Sequence, residues 1–332
     1  MNNNGFIVIL AYPDVVVRIA NGEVISKLWP LFGIGGRNRV MAGHAALLLV
    51  SKENNSVRYF DFGRYITSNT FGRVRSEETD DEVHIPFKAQ HNDVEILNLE
   101  EIVLYLDKHP EKTHGEGRLV VGVNHEVDYE KALHYLLALQ SRVEVPYGAF
   151  KKDASNCARL VTDVLIHSCT NRKTVKRLKR SYTITPSPIS NVINGASKKQ
   201  TTISVQNQLV EKYCNTSILR EYRRGLFAKV SQELCDIGTI EPDLKKFSCS
   251  NSQWLGGIGS GAWFEIRKSD RLQHYTIIRR NAEGVIDMDA EFILGQEGLC
   301  LDKPFEFKYG STCKTCYIEQ DNKLYVLERI NN

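Results

Sequence analysis

Apolar and polar positions divide the first 170 residues into short segments. Residues 6–12, FIVILAY, are β-branched, aliphatic and aromatic and predict a buried strand. Residues 41–50, MAGHAALLLV, predict a second one bound for the core. The polar SKENNS turns the chain, and VRYFDFGRYI returns as its partner, which makes a hairpin. Between the first two strands, EVISKLWPLFGIGG reads as a short helix stopped by Pro30 and the glycines of 33–36. Helical spacing recurs over 98–107 and 128–142, with a strand, GRLVVGV, at 117–123 between them. NCARLVTDVLIHSC predicts a further helix that starts at a Ser/Asn cap.

From 171 the pattern changes. NRKTVKRLKR is strongly basic and reads as a solvated helix end. SYTITPSPISNVINGASKKQTT is rich in Ser, Thr, Pro and Asn, as linkers and long loops are. A helix is expected over about 207–235, followed by the short strands GAWFEIRK, QHYTIIRRN, VIDMDAEFIL, PFEFKYG, CYIEQ and KLYVLERI. NAEG, at 281–284, fits a hairpin turn between two of them. The expected class is α+β: a domain with an antiparallel sheet and helices over 1–170, a basic and Ser/Thr/Pro-rich linker or long loop over 171–204, and a helix plus a mostly β domain over 205–332. A chain of 332 residues is too long for one compact core, which agrees with two domains.

Composition narrows the class. Hydrophobic residues make up 42% and charged residues 25%, as in ordinary globular proteins. A net charge of +3 is too small to point to nucleic acid. No segment approaches the roughly 20 apolar residues of a membrane span. The run FIVILA has neither the basic leader nor the length of a signal core. All eight cysteines fall after residue 156 without the spacing of a disulfide ladder, so a cytoplasmic protein with reduced thiols is expected.

Several motifs fail on inspection. GIGG and GGIGSG lack the Lys-Ser/Thr ending of a phosphate loop, and tight turns explain them better. There is no H-E-x-x-H and no G-x-S-x-G. Cys313 and Cys316 have the spacing of a zinc knuckle or redox dithiol, and a zinc ion would have to draw on Cys249 and Cys300 as well. Their irregular spacing favours two small residues at a β-turn, and no metal or organic cofactor is implied.

Cys157 holds together better. It follows Asp153, Ser155 and Asn156 and opens a helix, where the dipole and free backbone N–H groups favour the thiolate. Leu160, Val161 and Val164 lie on the same helical face, so a core cysteine is the bland alternative. Thiol catalysis needs a base and a group to orient it. His44, behind Gly43 at a strand start, is the candidate base. If the hairpin turn centres on Lys52–Glu53, Asp61 lies opposite His44; if it centres on Glu53–Asn54, Asp61 is a diagonal neighbour on the same face. An odd slip sends Asp61 to the other face. Tyr59 shares the face of Asp61 and is the fallback orienter. His274, which follows the cysteine, is a rival base; His44 is preferred because Gly43 precedes it and a carboxylate-bearing partner strand follows it.

GHAALLLV resembles the Gly-His-strand motif of papain-like thiol hydrolases of the NlpC type. PYGAFKKDASNCARLV is similar to their tyrosine, glycine, loop, Asp-Cys-Ser-Gly-Leu-Val pattern, with Asn156 in place of the Asp and Ala158 in place of the Ser. Histidine before cysteine is the order of the circularly permuted branch, which includes lecithin retinol acyltransferase-like proteins with their Asn-Cys pair. The resemblance spans residues 6–168 and implies a permuted papain-like fold. It also implies Cys157 as nucleophile, His44 as base, Asp61 as orienter and Tyr147 as oxyanion helper beside the backbone N–H of Cys157. The acyltransferase relatives carry a histidine as third group, so Asp61 leaves hydrolase or transferase open.

The expected chemistry is attack of Cys157 on an amide or ester carbonyl, through an acyl-thioester. The substrate expected is a peptide, a peptidoglycan fragment or a lipid, with no nucleic-acid partner. Arg64, Arg73 and Arg75 follow the Asp61 strand and are candidates to bind a substrate carboxylate or phosphate. Their alternative is surface salt bridging with Glu77, Glu78, Asp80 and Asp81. A non-catalytic binding or scaffold protein with a vestigial thiol is the reading from another class.

Overall fold

A computed structural model of the chain describes residues 2–18, 41–151, 153–198, 200–214, 217–228, 238–247, 249 and 251–330. The short helix expected within 23–36 lies outside them. The strands of the first part are β1 (Gly5–Tyr12), β2 (His44–Ser51), β3 (Val57–Gly63), β4 (Phe71–Arg75), β5 (Leu119–Val127), β6 (Val145–Pro146), β7 (Ile203–Gln206) and β8 (Leu209–Lys212). They pair antiparallel in the order β6-β4-β3-β2-β1-β5-β7-β8.

β1 and β2 are apolar at almost every position because both faces of this sheet are covered. Ile7, Ile9, Leu47 and Leu49 face α3 (Tyr129–Gln140), α4 (Cys157–Ser168) and α6 (Pro188–Gly195). Phe6, Val8, Leu48 and Val50 face α1 (Leu99–Lys108), which the single turn α2 (Pro110–Thr113) follows, and the segment carrying Val83 and Ile85. Each such side chain, fully withdrawn from water, contributes about 1.5–3 kcal/mol. The β2–β3 hairpin pairs Val50 with Val57 and Ala46 with Asp61, so its turn centres on Glu53–Asn54. Of the two registers compatible with the sequence it is the second, and it keeps His44 and Asp61 on one face.

The stretch 171–204, expected as a linker or long loop, is instead built into this domain. Asn171 caps α5 (Arg172–Ser181), its side chain accepting from Lys173 N and Thr174 N at 2.9 and 3.3 Å. Ser187 and Ser190 form a reciprocal capping box at α6, with Pro188 at its first position. The Ser/Pro composition that suggested a linker is thus the start signal of a buried helix. Asn191 fastens α6 to α4: its Nδ2 donates to Ala158 O at 2.9 Å and its Oδ1 accepts from Thr162 Oγ1 at 2.7 Å. The domain then runs on through β7 and β8 to residue 212.

The helix expected over about 207–235 also needs correction. Asn207 and Gln208 both take positive φ, 51° and 63°, and turn β7 tightly into β8. The helix that follows, α7, is Ile218–Leu226, and 229–237 lie outside the described residues. Seven strands make the second sheet: β9 (Ser252–Leu255), β10 (Ala262–Lys268), β11 (His274–Arg280), β12 (Ile286–Leu294), β13 (Glu306–Phe307), β14 (Thr315–Gln320) and β15 (Lys323–Arg329). Their order is β13-β14-β15-β12-β11-β10-β9. Phe264, Ile277, Phe292, Ile318 and Leu327 form its core, and Cys313 and Cys316 are buried with them. The chain is therefore α+β with a mostly β second domain.

Asn191→Ala should remove both hydrogen bonds that tie α6 to α4, leaving Thr162 Oγ1 and Ala158 O only each other, and cost about 2 kcal/mol of stability. A urea midpoint unchanged from wild type would contradict a structural role for residues 188–195.

Candidate active site

Three backbone devices bring the candidate residues to one end of the first sheet. Gly43, at φ +74°, turns the chain into β2 so that His44 is the first strand residue. A Cβ on Gly43 would meet Tyr12 O at 2.8 Å, so glycine is required at this position. Asn156 caps α4, its Oδ1 accepting from Arg159 N at 2.8 Å, which makes Cys157 the first residue of the helix. The loop between β6 and α4 is closed on itself, with Gly148 N donating to Ser155 O and Ser155 N to Pro146 O, each at 2.9 Å. Arg159 ties that loop to α4 through Gly148 O and Lys151 O.

Asp61 is the hub. It is fully buried, and four donors converge on its Oδ2. These are Arg75 Nη2 at 2.7 Å, Tyr59 OH at 2.9 Å, Tyr65 OH at 3.2 Å and His44 Nε2 at 3.3 Å. Arg75 Nε holds Oδ1 at 3.1 Å. Burial alone would push the carboxyl up, but the Arg75 charge and the His44 and Arg75 hydrogen bonds drive it far below the usual carboxylate range. Asp61 is therefore a fixed negative charge at any ordinary pH.

His44 responds in the opposite sense. Burial lowers its pKa, but hydrogen bonding and charge from Asp61 and Cys157 more than reverse this, and it is pushed up to about 9. Asp61 takes Nε2, which leaves Nδ1 as the ring nitrogen available to the thiol. Cys157 also acts on the imidazole, through a side-chain hydrogen bond and its charge, in the same direction as Asp61. Tyr12 stacks against the imidazole at 6.2 Å between centroids. Cys157 itself is half-buried.

Tyr147 sits with its ring stacked on Phe62 at 6.0 Å and under the Arg64 guanidinium at 4.5 Å. Its backbone N–H donates to Thr70 O at 2.9 Å. Arg64 is nearly buried and also donates to Arg18 O. Arg73 and Arg75 are neither surface ion pairs nor open substrate ligands. Arg73 is buried against Asp80 at 2.5 and 2.6 Å, and Arg75 is buried against Asp61. Arg58 takes Glu77 and Glu78 instead.

The rival His274 begins β11 in the second sheet, away from α4. Cys249, Cys300, Cys313 and Cys316 are not gathered as ligands: among the described residues no three His, Cys, Asp or Glu side chains could hold a metal ion together. Besides Tyr12, two residues of the site were not singled out from the sequence. Tyr65 is one. His114 is the other, stacked on Tyr65 at 5.0 Å in a left-handed conformation, φ 51°. Burial and the Arg75 charge push His114 down to about 3, so it is neutral at pH 7. No periodicity or motif marks either one.

With this geometry in place, comparison with known families matches residues 7–174, just over half of the chain, to the Type VI secretion system effector TseH-like family. The chain belongs to that family. Residues 252–330 of this TseH-like chain match the family described as DUF6695 C-terminal domain. Among solved structures, a crystal structure of a Type VI secretion system effector, TseH, shares 17% identity at a TM-score of 0.37, covering 64% of this chain and 99% of the other. No curated protein matches. No helix among the described residues is long and apolar enough to cross a membrane.

Because the folded pKa of His44 lies above its ordinary value, its contribution to stability is complete below about pH 6.5 and is lost as pH rises through about 9. Urea midpoints measured across that window should fall for wild type relative to His44→Gln. Parallel pH profiles for the two proteins would contradict the assignment of His44 to a charged partnership.

Proposed function

We propose that this TseH-like chain is a cysteine hydrolase on a circularly permuted papain-like fold, cleaving amide bonds in peptide portions of a cell-wall polymer. The observation that carries this reading is His44, held through Nε2 by the buried Asp61 and presented to Cys157 at the N-terminus of α4. Buried carboxylate, imidazole and helix-capped thiol in that order are the parts that nucleophilic thiol catalysis needs.

The steps follow from those parts. His44 Nδ1 takes the thiol proton, and Asp61 stabilises the imidazolium that results. The Cys157 thiolate attacks the scissile carbonyl, and the C–N bond breaks as the imidazolium delivers its proton to the leaving amine. The backbone N–H of Cys157, with Tyr147 beside it, stabilises the oxyanion. His44 then draws a proton from water, which attacks the thioester and frees the acid and the thiol. On this reading the protein is secreted as an effector and acts outside the cell that makes it, rather than in the cytoplasm expected from the sequence.

The experiment is turnover of purified peptidoglycan together with labelling by a thiol-directed activity probe. Cys157→Ala should abolish both. His44→Ala should slow labelling by about 10²–10⁴-fold, and Asp61→Asn should slow turnover by about 10⁴-fold, since it leaves the imidazole without its charged orienter. A folded His44→Ala protein that labels at the wild-type rate would place the base elsewhere and overturn the reading.

A further inference from the structure

The segment from Arg64 to Glu82 belongs to the first domain but is gripped from the second at two places. At the first, the loop before β10 runs beside residues 64–66. Ile66 N donates to Ser260 O at 2.9 Å, and Gly259 N donates to Arg64 O at 2.8 Å. A Cβ on Gly257 would meet both Arg64 O and Ile66 N at 2.6 Å, so the approach depends on glycine. Ile66 has φ 52°, a left-handed conformation that β-branched residues avoid, and its side chain is buried in the core of the second domain. Such strain persists only where the surroundings impose it. Tyr65, which donates to Asp61, is its chain neighbour.

At the second place, three residues of the second domain hold Thr79–Glu82. Cys313 N donates to Thr79 O at 2.9 Å, and Arg329 pairs with Asp81 at 2.6 Å. Arg279, 1% exposed, donates to Asp80 Oδ1 at 2.9 Å, to Asp287 at 2.9 Å and to Glu82. Asp80 also holds Arg73, and Glu82 lies 3.5 Å from Arg75 Nη1. Arg75 in turn carries Asp61. One run of ion pairs therefore connects β11 to His44.

We propose that the second domain is a working part of the catalytic centre and that Arg279 is its positioning residue: by holding Asp80 and Glu82 it keeps Arg75 on Asp61 and so keeps His44 presented to Cys157. The inference rests on the thiol-hydrolase reading. Without Arg279, Glu82 is left with Arg75 as its remaining guanidinium, Arg75 is drawn off Asp61, and the network gains a net negative charge. The groups that face His44 are Asp61, Tyr12, Cys157 and His114, and those that face Asp61 and Arg75 are Tyr59, Tyr65, Glu82 and Asp80. Arg279, Arg75 and Arg73 are the buried cations that balance their charge. Negative charge added near an acid opposes its ionisation.

The test follows iodoacetamide alkylation of Cys157 in the full chain against pH, by mass spectrometry, with thermal unfolding as a control for folding. Arg279→Met should slow labelling at neutral pH about tenfold and displace the acidic limb of the profile to higher pH. Arg279→Lys, which keeps the charge, should stay close to wild type. Adding Glu82→Gln to Arg279→Met removes the competing carboxylate and should move the limb back; a merely structural role for Arg279 would leave it unmoved. Gly257→Ala, which leaves every ionic group in place, should slow labelling through the other contact and decides the matter if the arginine variant does not fold. A folded Arg279→Met protein whose profile superimposes on wild type overturns the inference, as does a limb that Glu82→Gln fails to restore. Wild-type Cys157 reacting no faster than Cys169 would instead overturn the hydrolase reading beneath it.

Discussion

One buried carboxylate oxygen organises this molecule. Asp61 Oδ2 accepts from β2, β3, β4 and the segment after β3, so four parts of the chain are fixed relative to a single atom. A lone buried carboxylate is costly, and removing one member of a buried ion pair typically costs about 3–5 kcal/mol. In this site the cost of desolvation is offset by the bidentate Arg75 and by two tyrosine hydroxyls. The arrangement leaves Asp61 charged and immobile, and His44 inherits both properties as orientation and as affinity for a proton. The interaction is structural and chemical at once, because the same atom that joins strands also sets the state of the imidazole.

The thiol side is assembled differently. Cys157 takes its position from backbone chemistry: the Asn156 cap, the closed loop from Pro146 to Ser155, and α6 locked against α4 by Asn191 and Thr162. Helix terminus and capped N–H groups supply a positive environment without a dedicated cation. Sulfur and imidazole thus come from two separately stabilised units, a strand end and a helix start, at one end of the sheet. Docking of α4 on β2 and β3 decides whether they face each other.

Much of this was legible in the chain. The continuous apolar runs of β1 and β2 announced buried strands, and two of the three hairpin registers open to the sequence put His44 and Asp61 on one face; the observed pairing is one of those two. The Ser/Asn cap announced the helix start at Cys157. The failures have physical causes. Ser187-Pro188-Ile189-Ser190 is a capping box, but Ser and Pro are equally common in linkers, so composition misled. Asn207 and Gln208 adopt positive φ without glycine, so the β7–β8 turn carried no strong local signal. Arg75 and Arg73 read as substrate-binding or surface-paired cations because their partners, Asp61 and Asp80, are brought to them only by strand pairing and by the fold of the chain after β4. Tyr65, Ile66 and His114 owe their conformations to long-range packing, which no local pattern encodes.

For the proposed chemistry, Cys157 Sγ and a ring nitrogen of His44 must share one groove. A short bis-electrophile such as 1,3-dibromoacetone, which bridges a thiol and an imidazole only when they adjoin, measures this directly. Peptide mapping of the treated protein should recover Cys157 and His44 joined by one linker, with the joint lost in Cys157→Ala. Cys157 carrying only a single-ended adduct, or joined to another histidine, would contradict a shared groove and the thiol chemistry built on it.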